Sequence, residues 1–349
     1  MPSITRPAIV CPGDRLGLRE VVEHYTARNQ DHPRLADSVR VMKATGVRTR
    51  AFATPIDKLS DPELTVEERL DRHFGATCEL AEQAAREALD NAGIARTDID
   101  GLVCASTTGY TMPGLDVELT NRLGLPRDVT RVSATQMGCN GGSWALARAA
   151  ELCAGPDIDN VLVVAADLFQ SYIHPSDLGM DVMIFRALLG DAAGACVVRR
   201  AFATPGPDID ATWDYTVPGT SDIVGTRTGH DGIHIHNSPR LFDAVSEVTH
   251  ELTLWLKQIH GASDARTEFL VAHPGGPRVM ERLADGFGCD SALLDLSRQS
   301  LRELGNTGAA SILDVLARTF VTPPQPGARG VAIGIGPGVT STASHLVWR

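Results

Sequence analysis

The sequence of 349 residues has few cysteines, no long apolar run and no cluster of basic residues. Its seven cysteines are scattered and form no C-x-x-C pair, which argues against both a disulfide framework and a structural zinc site. The longest apolar stretches, such as VLVVAADLF, are far shorter than the ~18 residues that suggest a membrane span. The first residues lack a basic segment followed by an apolar one, so we expect no signal peptide and a cytoplasmic location.

The charge balance limits the partners. The formal net charge is −11 and the pI is about 5.4, and no run of lysines or arginines marks a nucleic-acid groove. A nucleic-acid partner is therefore disfavoured, whereas a small anionic ligand could still bind a local basic patch. Hydrophobic residues at 43% and charged residues at 21% are typical of a soluble globular protein.

Apolar runs of strand length alternate with amphipathic helical stretches, and this pattern predicts an α/β fold. The predicted strands are residues 101–106, 161–168, 194–198, 269–273 and 330–336. The predicted helices are residues 77–92, 139–154, 240–260, 278–287 and 306–319.

The two halves of the sequence repeat the same order of elements. GLVCASTTG corresponds to FLVAHPGG, CNGGSWALARAAEL to NTGAASILDVLART, NVLVVAAD to GVAIGIGP, and GDAAGACVVRR to GVTSTASHLVWR. Such a match over four elements indicates duplication of one α/β unit, unless the echo is the chance similarity of any two α/β halves. The alignment makes Cys139 and Asn306 equivalent positions and predicts that reactive side chains meet where residues 1–203 and 204–349 join.

Cys139 lies between glycines at the start of a predicted helix. Unpaired backbone N–H groups and the positive end of the helix dipole at this place predict a lowered thiol pKa, and a nearby histidine would lower it further. The alternative is a buried cysteine in a tight helix entry, which the segment alone favours equally.

Two possible partners follow in the second half. His273 ends a predicted strand before a Pro-Gly-Gly turn, where its side chain can project into a cleft, although such a histidine is more often structural. Asn306 begins a predicted helix, where it could equally be an ordinary N-cap.

These three segments together resemble a known family. Cys139 in QMGCNGG, His273 in HPGGP, Asn306 in GNTGAA and the terminal IGIGPGVT occur in the order and approximate spacing of type III polyketide synthases, chalcone-synthase-like members of the thiolase superfamily. The resemblance also covers TTGYTMPGLDVELTNRLGL, PSDLG and GDAAGA, and so runs nearly end to end. RPAI and the segment from DHPRL to TGVRTR are most similar to the bacterial branch that includes tetrahydroxynaphthalene synthase.

The resemblance implies a thiolase-like fold, in which duplicated α/β halves form a layered αβαβα core. It implies that Cys139 accepts a starter acyl group from coenzyme A, and that His273 and Asn306 stabilise the enolate formed when malonyl-CoA loses carbon dioxide. The expected reaction is an iterative decarboxylative Claisen condensation that gives a small aromatic or pyrone polyketide. Coenzyme A thioesters are its only required partners, and no metal or redox cofactor is expected. Malonyl-CoA as the starter is a guess from the branch.

The resemblance also assigns binding residues. Arg40 matches a position that contacts the carrier's phosphates, and Lys43 and Arg48 lie nearby, although a solvated helix face explains these two equally well. Met112 would reach across a homodimer interface into the partner's cavity, or would be ordinary core filler. The remaining candidates line the substrate site: Thr107, Tyr172, Ile235, Gly276 and Gly308. Tyr172 and Ile235 fall where the family usually has phenylalanines, and Thr107 stands where the tetrahydroxynaphthalene branch often has a cysteine.

Other functions fit the sequence less well. A single-round ketoacyl synthase III-like enzyme or acyltransferase would share the three residues and would use an acyl carrier protein. A non-catalytic thiolase-fold scaffold would not need the intact triad. His230, His234 and His236 could bind zinc, but no second ligand cluster accompanies them. GIGPG near the C-terminus does not open a helix, and GGSWA only approximates a hydrolase nucleophile elbow.

Overall fold

The structure, a computed structural model, describes residues 1–13, 15–58, 65–109, 111–169, 179–200, 205–229, 233–260 and 267–349. The strands of this part are β1 (Ser3–Ile4), β2 (Ala8–Val10), β3 (Arg15–Gly17), β4 (Thr49–Ala51), β5 (Gly101–Ala105), β6 (Thr130–Ala134), β7 (Asn160–Leu168), β8 (Asp191–Arg199), β9 (Pro207–Thr216), β10 (Val224–Thr228), β11 (Ile233–Asn237), β12 (Phe269–Ala272), β13 (Arg329–Gly336) and β14 (Thr340–Trp348). Its α-helices are α1 (Leu18–Arg28), α2 (Leu35–Ala44), α3 (Val66–Ala92), α4 (Leu115–Leu123), α5 (Gly141–Ala154), α6 (Met180–Leu188), α7 (Leu241–His260), α8 (Pro277–Phe287), α9 (Asp295–Leu304) and α10 (Ser311–Val321).

All five predicted strands form, and the structure corrects the starts of three predicted helices. Helix α3 begins eleven residues before the predicted start at residue 77, because Thr65 accepts a hydrogen bond from the Glu68 backbone N–H and the Glu68 side chain bonds back to the N–H of Thr65. Helices α5 and α10 begin after single 3₁₀ turns at residues 138–140 and 308–310. The two turns occupy the same place before α5 and α10, so Cys139 in the first turn corresponds to Ala309 in the second. The predicted equivalence of Cys139 and Asn306 is therefore wrong, because Asn306 lies three residues before the equivalent position.

One ten-stranded mixed sheet runs through the molecule in the order β12-β13-β14-β9-β1-β8-β7-β5-β6, with β2 added beside β8. We call β5, β6, β7 and β8 the first arm of this sheet and β12, β13 and β14 the second arm. In the first arm β5 is parallel to β7, and β7 is antiparallel to β8. In the second arm β12 is parallel to β13, and β13 is antiparallel to β14. The same order of directions in both arms confirms the predicted repeat. The expected boundary at 203/204 lies outside the described residues.

Five layers follow from the alternation of side chains along the strands. In β5, Val103 and Ala105 join a central core with α5 and α10, whereas Leu102 and Cys104 face α3 and α4 on the outside. The second arm behaves alike, because alternate residues of β12 and β13 face the central helices or α7 and α8. Helices α5 and α10 therefore lie between the two arms, which is the predicted αβαβα arrangement.

None of the helices in the described ranges is long and apolar enough to cross a membrane.

Candidate active site

A cavity of about 560 Å³ opens where the two arms meet. Its described lining includes Cys139 from the first half, His273 and Asn306 from the second, and the partly buried Thr107. The fold therefore brings the three predicted reactive side chains to one cavity, from elements that are distant in sequence.

The chain places Cys139 in the 3₁₀ turn that precedes α5. The residue before it, Gly138, has φ of +55°, a conformation that side chains with a Cβ rarely adopt. A Cβ at Gly138 would also collide with the Pro337 ring from the turn after β13. Glycine is thus required for the thiol turn to pack against the second arm.

Asn306 is not an N-cap, because α10 begins only at Ser311. Its backbone is held instead by a bridge to α6 and the segment after it, since the Asn306 N–H donates to the Leu188 carbonyl at 2.8 Å and its carbonyl accepts from the Gly190 N–H at 3.0 Å. The side-chain Oδ1 accepts a hydrogen bond from the Gly308 N–H at 2.9 Å. That bond fixes the orientation of the amide. Cys139 Sγ lies 3.7 Å from Nδ2, which can donate to it, and 3.8 Å from Oδ1, to which the thiol can donate.

His273 follows the last residue of β12, and its N–H donates to the Ile333 carbonyl at 2.9 Å. The ring is buried, and among the described residues neither ring nitrogen has a hydrogen-bond partner. Burial lowers the pKa of His273 to about 3, so the imidazole is neutral at physiological pH. A neutral imidazole in this cavity can donate one hydrogen bond to a ligand and accept another.

The prediction of a lowered pKa for Cys139 is wrong. Burial is the largest influence and raises the pKa of the thiol to about 12. The hydrogen bond with Asn306 and the backbone N–H at the turn act in the predicted direction but are smaller, and the carboxylate of Asp167 opposes them. Position at a helix entry therefore does not by itself outweigh the loss of water around the sulfur.

Sequence reasoning missed Asp167, a fully buried carboxylate near the end of β7. Its Oδ1 accepts hydrogen bonds from the N–H groups of Thr107 at 2.7 Å and Thr108 at 3.3 Å. Its Oδ2 accepts one from the Ala309 N–H at 2.8 Å, in the turn that follows Asn306. Burial raises the pKa of Asp167 to about 7, although the three N–H donors lower it. This carboxylate ties together the loops of both halves directly behind the cavity.

The basic residues expected at coenzyme A are exposed but do not line the cavity. Arg40, Lys43 and Arg48 are all on the surface, and Arg40 forms an ion pair with Asp37 at 2.8 Å. The cavity wall receives neighbouring residues of the same segment, including Val41. Any contact of the three cations with the carrier lies outside the cavity proper, and their role stays a prediction.

Arg278 was not predicted, yet it is exposed and lines the cavity, which places it at the opening. Its guanidinium carbon lies 5.9 Å from the centre of the Phe242 ring. No signal in HPGGPR distinguishes it, because a cation in the first turn of a helix is ordinary in sequence.

The remaining predicted residues divide into three groups. Ile235 and Gly276 line the cavity, and Gly308 supports it from behind through the bond to Asn306. Met112 is 98% exposed, which excludes its role as core filler within one chain. Tyr172 lies outside the described residues.

The histidine segment gives no support to a metal site. Among described residues, no group of three potential ligands surrounds His234 or His236, and His230 lies outside them. His236 is part of β11, and its partner across the β10 and β11 ribbon is Gly225.

A partly buried thiol that faces a side-chain amide, with a neutral imidazole in the same cavity and two repeated α/β arms around it, defines a cysteine-dependent acyl-transfer enzyme. The comparisons agree with this class. The family models for the N-terminal and C-terminal domains of chalcone and stilbene synthases match residues 19–201 and 208–347, so the chain belongs to the chalcone and stilbene synthase family, on a thiolase-like fold.

Similar proteins include 1,3,6,8-tetrahydroxynaphthalene synthase of Streptomyces coelicolor, which is 32% identical over all of this chain and 93% of the relative. Phloroglucinol synthase of Pseudomonas fluorescens is 28% identical over all of this chain and 99% of the relative. Among solved structures, the Streptomyces coelicolor tetrahydroxynaphthalene synthase aligns with a TM-score of 0.94 and 30% identity over 99% of both chains. Germicidin synthase of the same species, a type III polyketide synthase, aligns with a TM-score of 0.92 and 30% identity over 100% of this chain and 99% of the other.

Proposed function

We propose that the protein is a type III polyketide synthase that extends a Cys139-bound acyl starter with malonyl-CoA. The observation that carries this proposal is the approach of Asn306 Nδ2 to Cys139 Sγ at 3.7 Å inside a cavity that also receives His273. A nucleophile beside two uncharged donors suits acyl transfer followed by stabilisation of an enolate oxygen.

In the loading step Cys139 attacks the thioester carbon of the starter, and coenzyme A leaves as a free thiol. Because burial keeps both groups neutral, the thiol must give up its proton during attack, and we assign its acceptance to the imidazole of His273, which lines the same cavity and has no hydrogen-bond partner among the described residues. The proton then passes to the departing thiolate of coenzyme A.

In the extension step the thioester oxygen of malonyl-CoA accepts hydrogen bonds from Asn306 Nδ2 and the N–H of His273. These donors stabilise the enolate that forms as the carbon–carboxylate bond breaks and carbon dioxide leaves. The enolate carbon attacks the Cys139 thioester, a carbon–carbon bond forms, and the thiolate is released for the next cycle. This chemistry requires no metal and no redox cofactor.

The homodimer rests on the resemblance, which assigns Met112 to the interface, and the 98% exposure of Met112 leaves its side chain free to contact a partner. Replacing Met112 with glutamate is expected to shift the protein towards monomer in analytical ultracentrifugation. An unchanged sedimentation coefficient, for a protein that is dimeric to begin with, would remove Met112 from the interface. A cytoplasmic location also stays a prediction.

The reaction is tested with radiolabelled malonyl-CoA, alone and with a panel of acyl-CoA starters, beside Cys139→Ala. Products that contain several acetate units by mass spectrometry and vanish in the variant would support iterative condensation. A single acetate unit, or a requirement for an acyl carrier protein, would point to the ketoacyl synthase III-like alternative. Absence of any carbon–carbon bond, with Cys139 still acylated, would leave an acyltransferase, and failure of acylation would leave a binding protein.

A further inference from the structure

Asn140, the residue after the proposed nucleophile, is buried and is not part of the described cavity lining. It occupies the position before α5, where an asparagine side chain commonly caps a helix by accepting a hydrogen bond from a backbone N–H. Within the described α5 it makes no such bond, and its own backbone is helical, with φ of −77° and ψ of −15°. The amide of Asn140 therefore serves a purpose other than capping.

Both polar atoms of this amide bind one residue of the second arm. Oδ1 accepts a hydrogen bond from the Thr342 backbone N–H at 2.9 Å, and Nδ2 donates one to Thr342 Oγ1 at 3.1 Å. Asn140 and Thr342 are 1% and 0% exposed, so water does not compete for these bonds. Two bonds to one residue fix both the place and the rotation of the amide.

Strand β13 leaves the space that this contact needs. A Cβ on Gly334 would lie 3.0 Å from Asn140 Oδ1. A Cβ on Gly336 would lie 2.8 Å from Asn140 Cβ, which is closer than real side chains approach. Gly334 is the partner of Thr342 in the pairing of β13 with β14. The amide is therefore seated on a strand pair of the second arm.

The hydroxyl of Thr342 is itself held by a neighbouring strand. It donates to Asp214 Oδ1 at 2.7 Å, and Asp214 is its partner in the pairing of β14 with β9. Asp214 Oδ2 accepts from Arg148 Nη2 at 2.6 Å, and Arg148 belongs to α5, the helix that follows Cys139. Because the hydroxyl hydrogen is directed to Asp214, the oxygen lone pairs are left to accept from Asn140.

The turn that carries Cys139 is thus fixed to the second arm on both sides of the thiol. Gly138 packs against the Pro337 ring on one side, and Asn140 is bound to Thr342 on the other. We propose that Asn140 is a positioning residue, whose two bonds to Thr342 set the place of Cys139 Sγ relative to the groups that the second half brings to the cavity. The inference rests on the proposed function, because it assigns acyl transfer to Cys139.

The test follows acylation of Cys139 over time by intact-protein mass spectrometry, with Cys139→Ala as the blank. The acyl donor is the member of the starter panel that acylates the native protein fastest. For Asn140→Ala we expect the rate constant at saturating donor to fall at least about tenfold, because a displacement of about 1 Å costs up to roughly a hundredfold. The half-saturating concentration should change less than about twofold, since donor binding is not altered. All molecules should still become acylated, whereas partial unfolding would lower the acylated fraction and leave the rate constant unchanged.

Thr342 supplies a second, milder pair of variants. Thr342→Val removes the hydroxyl and keeps the N–H, so it should slow acylation by less than Asn140→Ala does. Thr342→Ser keeps the hydroxyl and should retain the native rate constant. Added to Asn140→Ala, Thr342→Val should slow acylation little further, because the effects of residues in one hydrogen-bond network are not additive.

The matched controls carry the same substitutions outside this network. Asn160 also uses its amide twice, donating to the Asp98 carbonyl at 2.9 Å and accepting from Arg199 Nε at 3.2 Å. Thr319 has a buried hydroxyl that donates to the Val315 carbonyl at 2.9 Å, near the C-terminal end of α10. Asn160→Ala and Thr319→Val should therefore be acylated at the native rate.

The outcomes separate this inference from the proposed function. A folded Asn140→Ala protein with the native rate constant would overturn the inference, and so would a loss confined to the acylated fraction. If that variant does not fold, equal rate constants for Thr342→Val and Thr342→Ser would overturn it instead. If no acyl-CoA of the panel acylates the native protein at Cys139, the proposed function itself fails.

Discussion

Replacing Asn306 with aspartate is the most specific test of the site, because the change keeps the shape of the side chain and replaces its donor with a negatively charged acceptor. Oδ1 would still accept the hydrogen bond from the Gly308 N–H, now 2.9 Å long, so the loop should stay in place. The second oxygen would replace Nδ2, which lies 3.7 Å from Cys139 Sγ. An alanine variant would lose both functions and could not separate them.

The expected magnitude has two parts. Loss of one oxyanion donor lowers the rate of a catalysed step by about 10²–10³. A carboxylate about 4 Å from a developing enolate adds a repulsion of roughly 4 kcal/mol at an effective dielectric constant of about 20. We therefore expect kcat to fall at least about a thousandfold.

The assay measures carbon dioxide release from malonyl-CoA without a starter, separately from polyketide formation, so that decarboxylation is observed directly. Asn121→Asp, at an exposed position in α4, is the control for an asparagine-to-aspartate change outside the site. If the Asn306→Asp protein is folded and decarboxylates within tenfold of the native rate, the donor role of Asn306 is refuted.

Three further predictions concern stability. Asp167 has a folded pKa of about 7, above its ordinary value of 3.8. Its contribution to stability is therefore present below pH 4 and is lost, by about 4 kcal/mol in total, as the pH rises through 7. Urea titrations across this range should show that loss in the native protein and not in Asp167→Asn. For His273 the sign is opposite, because its folded pKa of about 3 lies below the ordinary value: its contribution to stability is present above pH 6.5 and is lost, by about 5 kcal/mol in total, as the pH falls through 3. His273→Gln should remove this loss of stability in acid. An equal loss in the native and variant proteins as the pH falls would contradict the prediction. Gly138→Ala should lower the free energy of unfolding by at least about 2 kcal/mol, because the residue has positive φ and faces the Pro337 ring; thermal unfolding within 2 °C of the native protein would show that the turn can relax.

The strands could be predicted because their signals are local, whereas Cys139, His273 and Asn306 were singled out by the order and spacing of their motifs and not by any one segment. A strand such as β7 is a continuous apolar run, and residues that end strands or precede helices are readable from glycine and proline. The start of α3 was missed because its first three turns are polar, although Thr65 and Glu68 carry a capping-box pattern. Attention to that pattern would have corrected the boundary.

Other features could not be read from the chain. The hydrogen-bond donors to Asp167 are backbone N–H groups, which every residue except proline has. No sequence pattern therefore identifies its partners. The pKa of Cys139 depends on burial by both arms, a tertiary effect that outweighs the local helix entry. A position in the cavity lining likewise separates Arg278 from the basic residues of α2, which are equally exposed, and only the folded structure shows that position.

The way Asp167 joins the two halves bears on how members of such a family can be recombined. The proposed nucleophile comes from one half and Asn306 and His273 from the other, so under the proposed function neither half could catalyse the reaction alone. The hydrogen bond from Asp167 to the second half is donated by the main-chain N–H of Ala309. Every residue except proline has such a donor, whatever its side chain. A chimaera that takes its second half from a relative would keep this bond whatever non-proline residue stands there, provided that the first half keeps its aspartate. This hydrogen bond at the junction therefore tolerates exchange of the second half, including a change of the side chain at residue 309.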